Sequence, residues 1–283
     1  MSTDLRQSPE YACHLEDLGW KVELIDNCHV FIRRFPLLGS ILKIQRPNKI
    51  PSLDKVETLA RKYHAYKVSL EPQRPFSHLA IKRLKNRGYQ PSRSSYLPTK
   101  TVQIDLRSPL TKILKNCQKD CRYCLKKTSK KPLQLTEVAD PKLFQRIWRK
   151  SLPFHKWLLV PSLKNLISLK KNFGKHCYLL LSFYKEIPLG GTIILISGKT
   201  AYYFYAFTNQ GGRKLLAQYF LVWEAIRLAK RKGCFFFDFE GIYDERFPLK
   251  SWQGFSHFKK SFGGKEISYP PPLAKTRLFR LFG

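Results

Sequence analysis

The chain has 283 residues, 43% of them hydrophobic, with 52 Lys and Arg against 20 Asp and Glu and a formal net charge of +32. That length and apolar content support one large or two small cored domains and exclude a small disulfide-stapled scaffold. A body so positive repels itself unless anions neutralise it, so nucleic acid, phosphorylated substrates and an anionic membrane surface are the partner classes it points to.

The seven cysteines are odd in number and read as free thiols of a reducing compartment. The opening MSTDLRQSPEY holds no apolar run, so a cytoplasmic chain without a signal peptide is expected. The most apolar windows, CYLLLSFY and TIILIS, fall short of a membrane span, which leaves only peripheral contact at the inner face of the cell membrane.

In chain order, residues 8–18 read as a helix, and 20–24 and 28–33 as strands around an Asp-Asn turn. Another strand follows at 40–45, then a helix at 53–63 capped by Ser52, a strand at 66–70 and a basic segment at 76–88. The polar stretch YQPSRSSYLP reads as a domain boundary. A second unit opens with the strand TVQIDL and one helix from Ser108 and Pro109 through LTKILKNCQKDCRYCLKKTSK. Two more helical segments, then strands CYLLLSFY, LGGTIILIS and TAYYFYAFT, lead to a long helix at 215–231 and the strand CFFFDF. The order is α+β, and it lacks both the alternation of a barrel and a dinucleotide-binding glycine fingerprint.

Cys117, Cys121 and Cys124 match the spacing of a cluster-binding loop, but they fall on an apolar helical stripe and read as buried thiols, with no metal. Lys259, in the turn FKKSFGG, is the first catalytic candidate, because a fixed cation stabilises a diphosphate or a developing oxyanion. Asp238, at the edge of an aromatic strand, is the second, as a general base or an orienter of an amine. Glu240 shares its exit. Arg213, after a Gly-Gly pair, and Lys43 and Arg46, in ILKIQRP, are candidate contacts to an anionic substrate.

LVWEAIRLAKRKGCFFFDFEGI followed by FSHFKKSFGG resembles the Fem family of peptidoglycan-bridge aminoacyltransferases. SPEYACHLEDLGWKVELI and YQPSRSSYLPTKTVQIDL are similar to that family's opening elements and its link into the second domain. The resemblance implies two tandem acyl-CoA N-acyltransferase-like domains without a helical-hairpin insertion. It places the first at 1–100, completed by 252–283, and the second at 101–251. It implies transfer of an aminoacyl group from aminoacyl-tRNA to an amine on the stem peptide of a UDP- or lipid-linked muropeptide. Lys259 then maps to the lysine associated with transfer, and Lys43 to a phosphate-binding lysine. The donor ester is already activated, so no cofactor is expected; a monomer is the expected state. The alternatives are an N-acyltransferase with another acyl donor or acceptor, and a noncatalytic nucleic-acid-binding protein. The missing Gly-rich pyrophosphate loop counts against an acyl-CoA donor.

Overall fold

Ser8 accepts a hydrogen bond from the Tyr11 N–H and Pro9 follows it, which starts helix α1 (Pro9–Asp17). Asp26 and Asn27 both take positive φ, the turn that suits two twisted strands, and join β1 (Lys21–Ile25) to β2 (Cys28–Phe35). β3 (Gly39–Gln45) pairs with β2, and helix α2 (Leu53–Lys62) crosses over to β4 (Ala65–Glu71), parallel to β3. Helix α3 (His78–Asn86) and the short β5 (Gln90–Pro91) complete this run. Apolar groups of α2 and α3 cover one face of the sheet, while Ala12 and Leu15 of α1 cover Phe31 on the other. The structure, a computed structural model, describes residues 4–277.

The second sheet starts at β6 (Lys100–Asp105) and passes through helices α4 (Leu110–Asn116) and α5 (Lys119–Thr128) to β7 (Leu133–Val138). Helices α6 (Pro141–Lys150) and α7 (Leu163–Phe173) precede the meander β8 (Cys177–Tyr184), β9 (Ile187–Ser197) and β10 (Thr200–Thr208). Then come α8 (Gln210–Lys214), α9 (Ala217–Arg231), β11 (Phe236–Asp238), α10 (Gln253–Ser261), β12 (Lys265–Ser268) and β13 (Leu273–Thr276). The order across this sheet is β12-β6-β11-β10-β9-β8-β7. Helices α4, α5 and α9 pack on one face, and α6 and α7 on the other.

Several expectations change. The helix expected from Pro109 breaks after Asn116, because Cys117 is extended and the Gln118 N–H donates to Ser261 O at 2.8 Å. Cys117 and Cys121 are nevertheless buried in one core with Phe262, and Cys124 is half-buried. The long helix expected from residue 215 starts at Ala217, after Leu216 takes φ +60°. The strand β7, LQLTEV, was not expected: its outer position leaves it little apolar burial to advertise. FKKSFGG is not a turn around Lys259: Lys259 and Lys260 lie in the last turn of α10.

The C-terminal return also comes later than expected. From Trp252 to Ser268 the chain stays on the second sheet, where β12 pairs with β6; only β13 crosses, inserting between β4 and β5. The last six residues of the expected return lie outside the described residues. The opposite end bridges the sheets as well. The Gln7 side chain donates to Gln45 O at 2.7 Å and accepts from the His29 N–H at 2.8 Å, while Leu5 packs in the second unit's core.

Gly263 and Gly264 follow α10 with φ of +76° and +95°. A Cβ there would stand 2.5 Å from Asn116 O or Gln103 O. The close approach that these glycines permit is to the chain's own backbone. Gly263→Ala is therefore expected to lower stability by about 1–3 kcal/mol. Gly254→Ala, in α10 with open space around it, is expected to raise it by about 0.5–1 kcal/mol. Urea melts of the two variants check both signs.

Candidate active site

β10 and β11 pair in parallel only where Thr200, Ala201 and Tyr202 face Phe236, Phe237 and Asp238. β11 then ends while β10 runs on along β9 to Thr208, with an irregularity between Tyr203 and Tyr205. The freed edge of β10 opens a cavity of about 540 Å3. Tyr203, Phe204 and Phe207 of β10, Tyr219 of α9 and Phe255 and Phe258 of α10 line it, and Arg213 stands at its rim. Ligands in open α/β sheets favour such places, beyond the carboxyl ends of strands.

Lys259 enters this cavity from α10 and is 9% exposed. Its Nζ donates to Phe239 O at 2.7 Å and to Gly241 O at 2.6 Å, and sits 4.7 Å from the centre of the Phe255 ring. An ammonium has three donors, so one remains for a substrate oxygen. Burial pushes the Lys259 amine down to about 8, against the pull of Glu240 and Asp238.

Between those two carbonyls stands Glu240, with φ +55°. Its carboxylate accepts from Arg6, at 2.8 Å from Nη1 to Oε1 and through Nη2 to Oε2. Arg6 belongs to a short turn whose Asp4 side chain accepts the Arg6 N–H at 2.9 Å. Glu240 and Phe204 also line a second cavity, of about 530 Å3. Arg6, the linker from Arg93 to Thr99 and the loop from Ile242 to Leu249 form its other walls. The two cavities thus share a wall.

Asp238 stands elsewhere than a general base would. It is 1% exposed and does not line the first cavity. It accepts from Thr101 Oγ1 at 2.6 Å, Gln103 Nε2 at 2.7 Å and the Glu240 N–H at 2.7 Å. Its geometry is that of a group holding the Glu240 loop. Arg46 also departs from expectation: it is 3% exposed, donates to Pro72 O at 3.2 Å and to Pro98 O, and lies 3.5 Å over the Tyr269 ring. That burial leaves phosphate no approach. Lys43 is half-buried, its Nζ 3.7 Å over Tyr96 and 4.8 Å over Trp20, and burial lowers its amine. Tyr96 itself lines the second cavity. Arg213 is exposed and donates to Thr208 O at 3.1 Å. Arg6 had no sequence signal beyond its charge, since its partner lies 234 residues away.

Burial, then the charge of Glu240, raises the Asp238 carboxyl to about 6. The unfolded value is about 3.9, so between roughly pH 4 and 6 the folded chain binds more proton and loses stability as pH rises. The stability of the wild type relative to Asp238→Asn is expected to fall by roughly 2–3 kcal/mol from pH 4 to 7. Denaturant melts across that range check the direction, and a flat difference would contradict it.

The FemAB family model matches residues 164–270, a span that holds Arg213, Asp238, Glu240 and Lys259 but neither Lys43 nor Arg46. No curated protein matches the sequence. Among solved structures the chain is similar to FemX at 14% identity, over 98% of this chain and 93% of that one, with a TM-score of 0.82. It is similar to the C-terminal domain of a putative lysylphosphatidylglycerol synthetase from Agrobacterium fabrum at 12% identity, covering 95% and 88%, with a TM-score of 0.62. A tandem GNAT protein from the clavulanic acid biosynthesis pathway matches at 9% identity over 88% and 78%, with a TM-score of 0.53. The α+β chain therefore has the fold of two tandem N-acyltransferase-like units. The FemAB family's sequence pattern thus runs over α7 to β12, and the chain is similar in fold to FemX throughout.

Proposed function

We propose that this chain transfers an aminoacyl group from aminoacyl-tRNA to an amine on the stem peptide of a UDP- or lipid-linked muropeptide. The observation that carries the reading is the wall shared by the two cavities, with Glu240 in both and Lys259 in one. A group transfer needs two substrates to meet at one point, and the common wall supplies it. The aromatic cavity suits the acyl end of the donor. The more polar cavity beside the linker suits the muropeptide, with Lys43, next to Tyr96, as its phosphate contact.

The acceptor enters as an ammonium drawn to Glu240 and loses a proton to become the nucleophile. Its nitrogen attacks the ester carbonyl, and the third N–H of Lys259 meets the developing oxyanion. The C–N bond forms and the ester C–O bond breaks; of the two protons the ammonium gives up, the first passes to solvent before attack and the second leaves with the ribose oxygen. Asp238 acts as a positioning residue by holding the Glu240 N–H. Arg213 at the rim meets the donor's anionic backbone. No helix among the described residues is long and apolar enough to cross a membrane. A lipid-linked acceptor is then reached by peripheral contact, and Leu158 and Leu159, 97% and 73% exposed beside Lys156, suit an anionic membrane surface.

Incubation with a pool of radiolabelled aminoacyl-tRNAs and a panel of muropeptide precursors is expected to yield a labelled amide. Transfer from acyl-CoA and none from charged tRNA would overturn the donor. Lys259→Ala is expected to lower kcat about 10²–10³-fold, the usual loss for one oxyanion donor, with the fold retained by circular dichroism. The wild-type rate is expected to fall as pH rises through about 8, where Lys259 loses its proton. Lys259→Arg should move that descending limb out of range.

A further inference from the structure

Away from the shared wall, α5 and α9 leave a groove of about 620 Å3 between them. Phe220, Trp223 and Leu125 form its floor, and Arg122, Lys126 and Arg227 stand on its rim. Trp223 packs on the core with one part of its surface and keeps the rest open to the groove. Glu224 is the acid among the lining residues, and it is paired with Arg227 at 2.8 Å. Around the groove the charge is strongly one-sided: residues 112–131 hold eight Lys and Arg against Asp120.

The groove and the candidate site both border α9. Tyr219 lines the aromatic cavity and Trp223 the groove, four residues apart and so on one face of the helix. The rise between them is about 6 Å. At about 3.4 Å per stacked nucleotide, two bases bridge that distance. Flat aromatic faces between cations are what a single-stranded nucleic acid recognises: bases stack on the rings and phosphates meet the cations. A lipid chain or an apolar helix would match the floor and leave the cationic rim without counterparts.

We propose that this groove seats the unpaired 3′-terminal nucleotides of an RNA, so that the acyl ester they carry reaches the aromatic cavity past Tyr219. The proposal rests on the reading of the donor as a charged tRNA, and it gives a chain without a helical-hairpin insertion a place to hold that donor.

Binding of uncharged RNA tests it without requiring transfer. The probes are a fluorescent hairpin that ends in a four-nucleotide unpaired 3′ tail and the same hairpin made blunt, followed by anisotropy with the full chain. The wild type is expected to prefer the tailed hairpin about tenfold or more. Trp223→Leu keeps an apolar side chain on the core but has no stacking face, and should abolish that preference; Trp223→Phe should keep most of it. Lys126→Glu, on an exposed side chain that leaves the core intact, should weaken both RNAs and reduce the slope of log affinity against log salt by about 1 or more. No tail preference in the wild type, or a preference retained in Trp223→Leu, would overturn the proposal. A chain that holds the tail through Trp223 yet transfers nothing from charged tRNA keeps the groove and loses the proposed function. A chain that transfers but ignores the tail does the reverse.

Discussion

The site depends on how β11 ends. Three residues of parallel pairing with β10 are followed by a chain that must leave the sheet inside the protein, where carbonyls without donors are costly. The Lys259 ammonium supplies those donors to Phe239 and Gly241. Glu240, between them, takes a left-handed conformation, held by its own N–H on Asp238. Much else follows from that arrangement. α10 must lie where its last turn delivers Lys259, and the chain beyond it must pass close over Asn116 and Gln103, which only glycines allow.

The charges within the site run against the charge of the chain. The body is strongly basic, yet charges of alternating sign meet at the shared wall: Lys259 on the side of the first cavity, Glu240 in both, Arg6 on the side of the second, with Asp4 and Asp238 behind them. A long-range positive field draws anionic substrates towards the molecule. Inside, a carboxylate waits where the two cavities meet, which suits an incoming amine better than another anion. Burial works on the same groups: it lowers the Lys259 amine and raises the Asp238 carboxyl, so both titrate nearer neutrality than they would in water.

Local patterning made the secondary structure legible where the signal was local. The Asp26-Asn27 hairpin, the cap at Ser52 and the apolar strands β8, β9 and β10 follow from residue type and period alone. The errors arose where tertiary contacts decide. The break at Cys117 comes from a hydrogen bond to Ser261, and the helical state of Lys259 from packing of Phe258 and Phe262 around Tyr219. In the candidate site, the motif around Lys259, Asp238 and Glu240 pointed to the loop that borders both cavities but could not separate the buried Asp238 from the cavity-lining Glu240. Arg46 looked like a surface cation and is a buried tie. Arg6, the partner of Glu240, was invisible, because pairing across most of the chain leaves no periodic trace.

That buried tie changes what the polar linker does. A stretch such as Arg93 to Thr99 ordinarily joins two bodies loosely. Here Glu71, 2% exposed, accepts from Ser95 Oγ and from the N–H groups of Tyr96 and Leu97, at 2.8, 3.1 and 2.9 Å. Arg46, at the end of β3, holds the Pro98 carbonyl from the same side. Two charged groups of the first sheet therefore fix the linker as a wall of the second cavity, while Arg6 closes it from the N-terminus. Among the described residues the first unit contributes no group to the aromatic cavity; what it supplies is the placement of the second cavity's wall beside Glu240. On the proposed reading both units are then needed for one reaction centre, and the short segments that cross between them, Asp4 to Gln7 and β13, tie the two halves together.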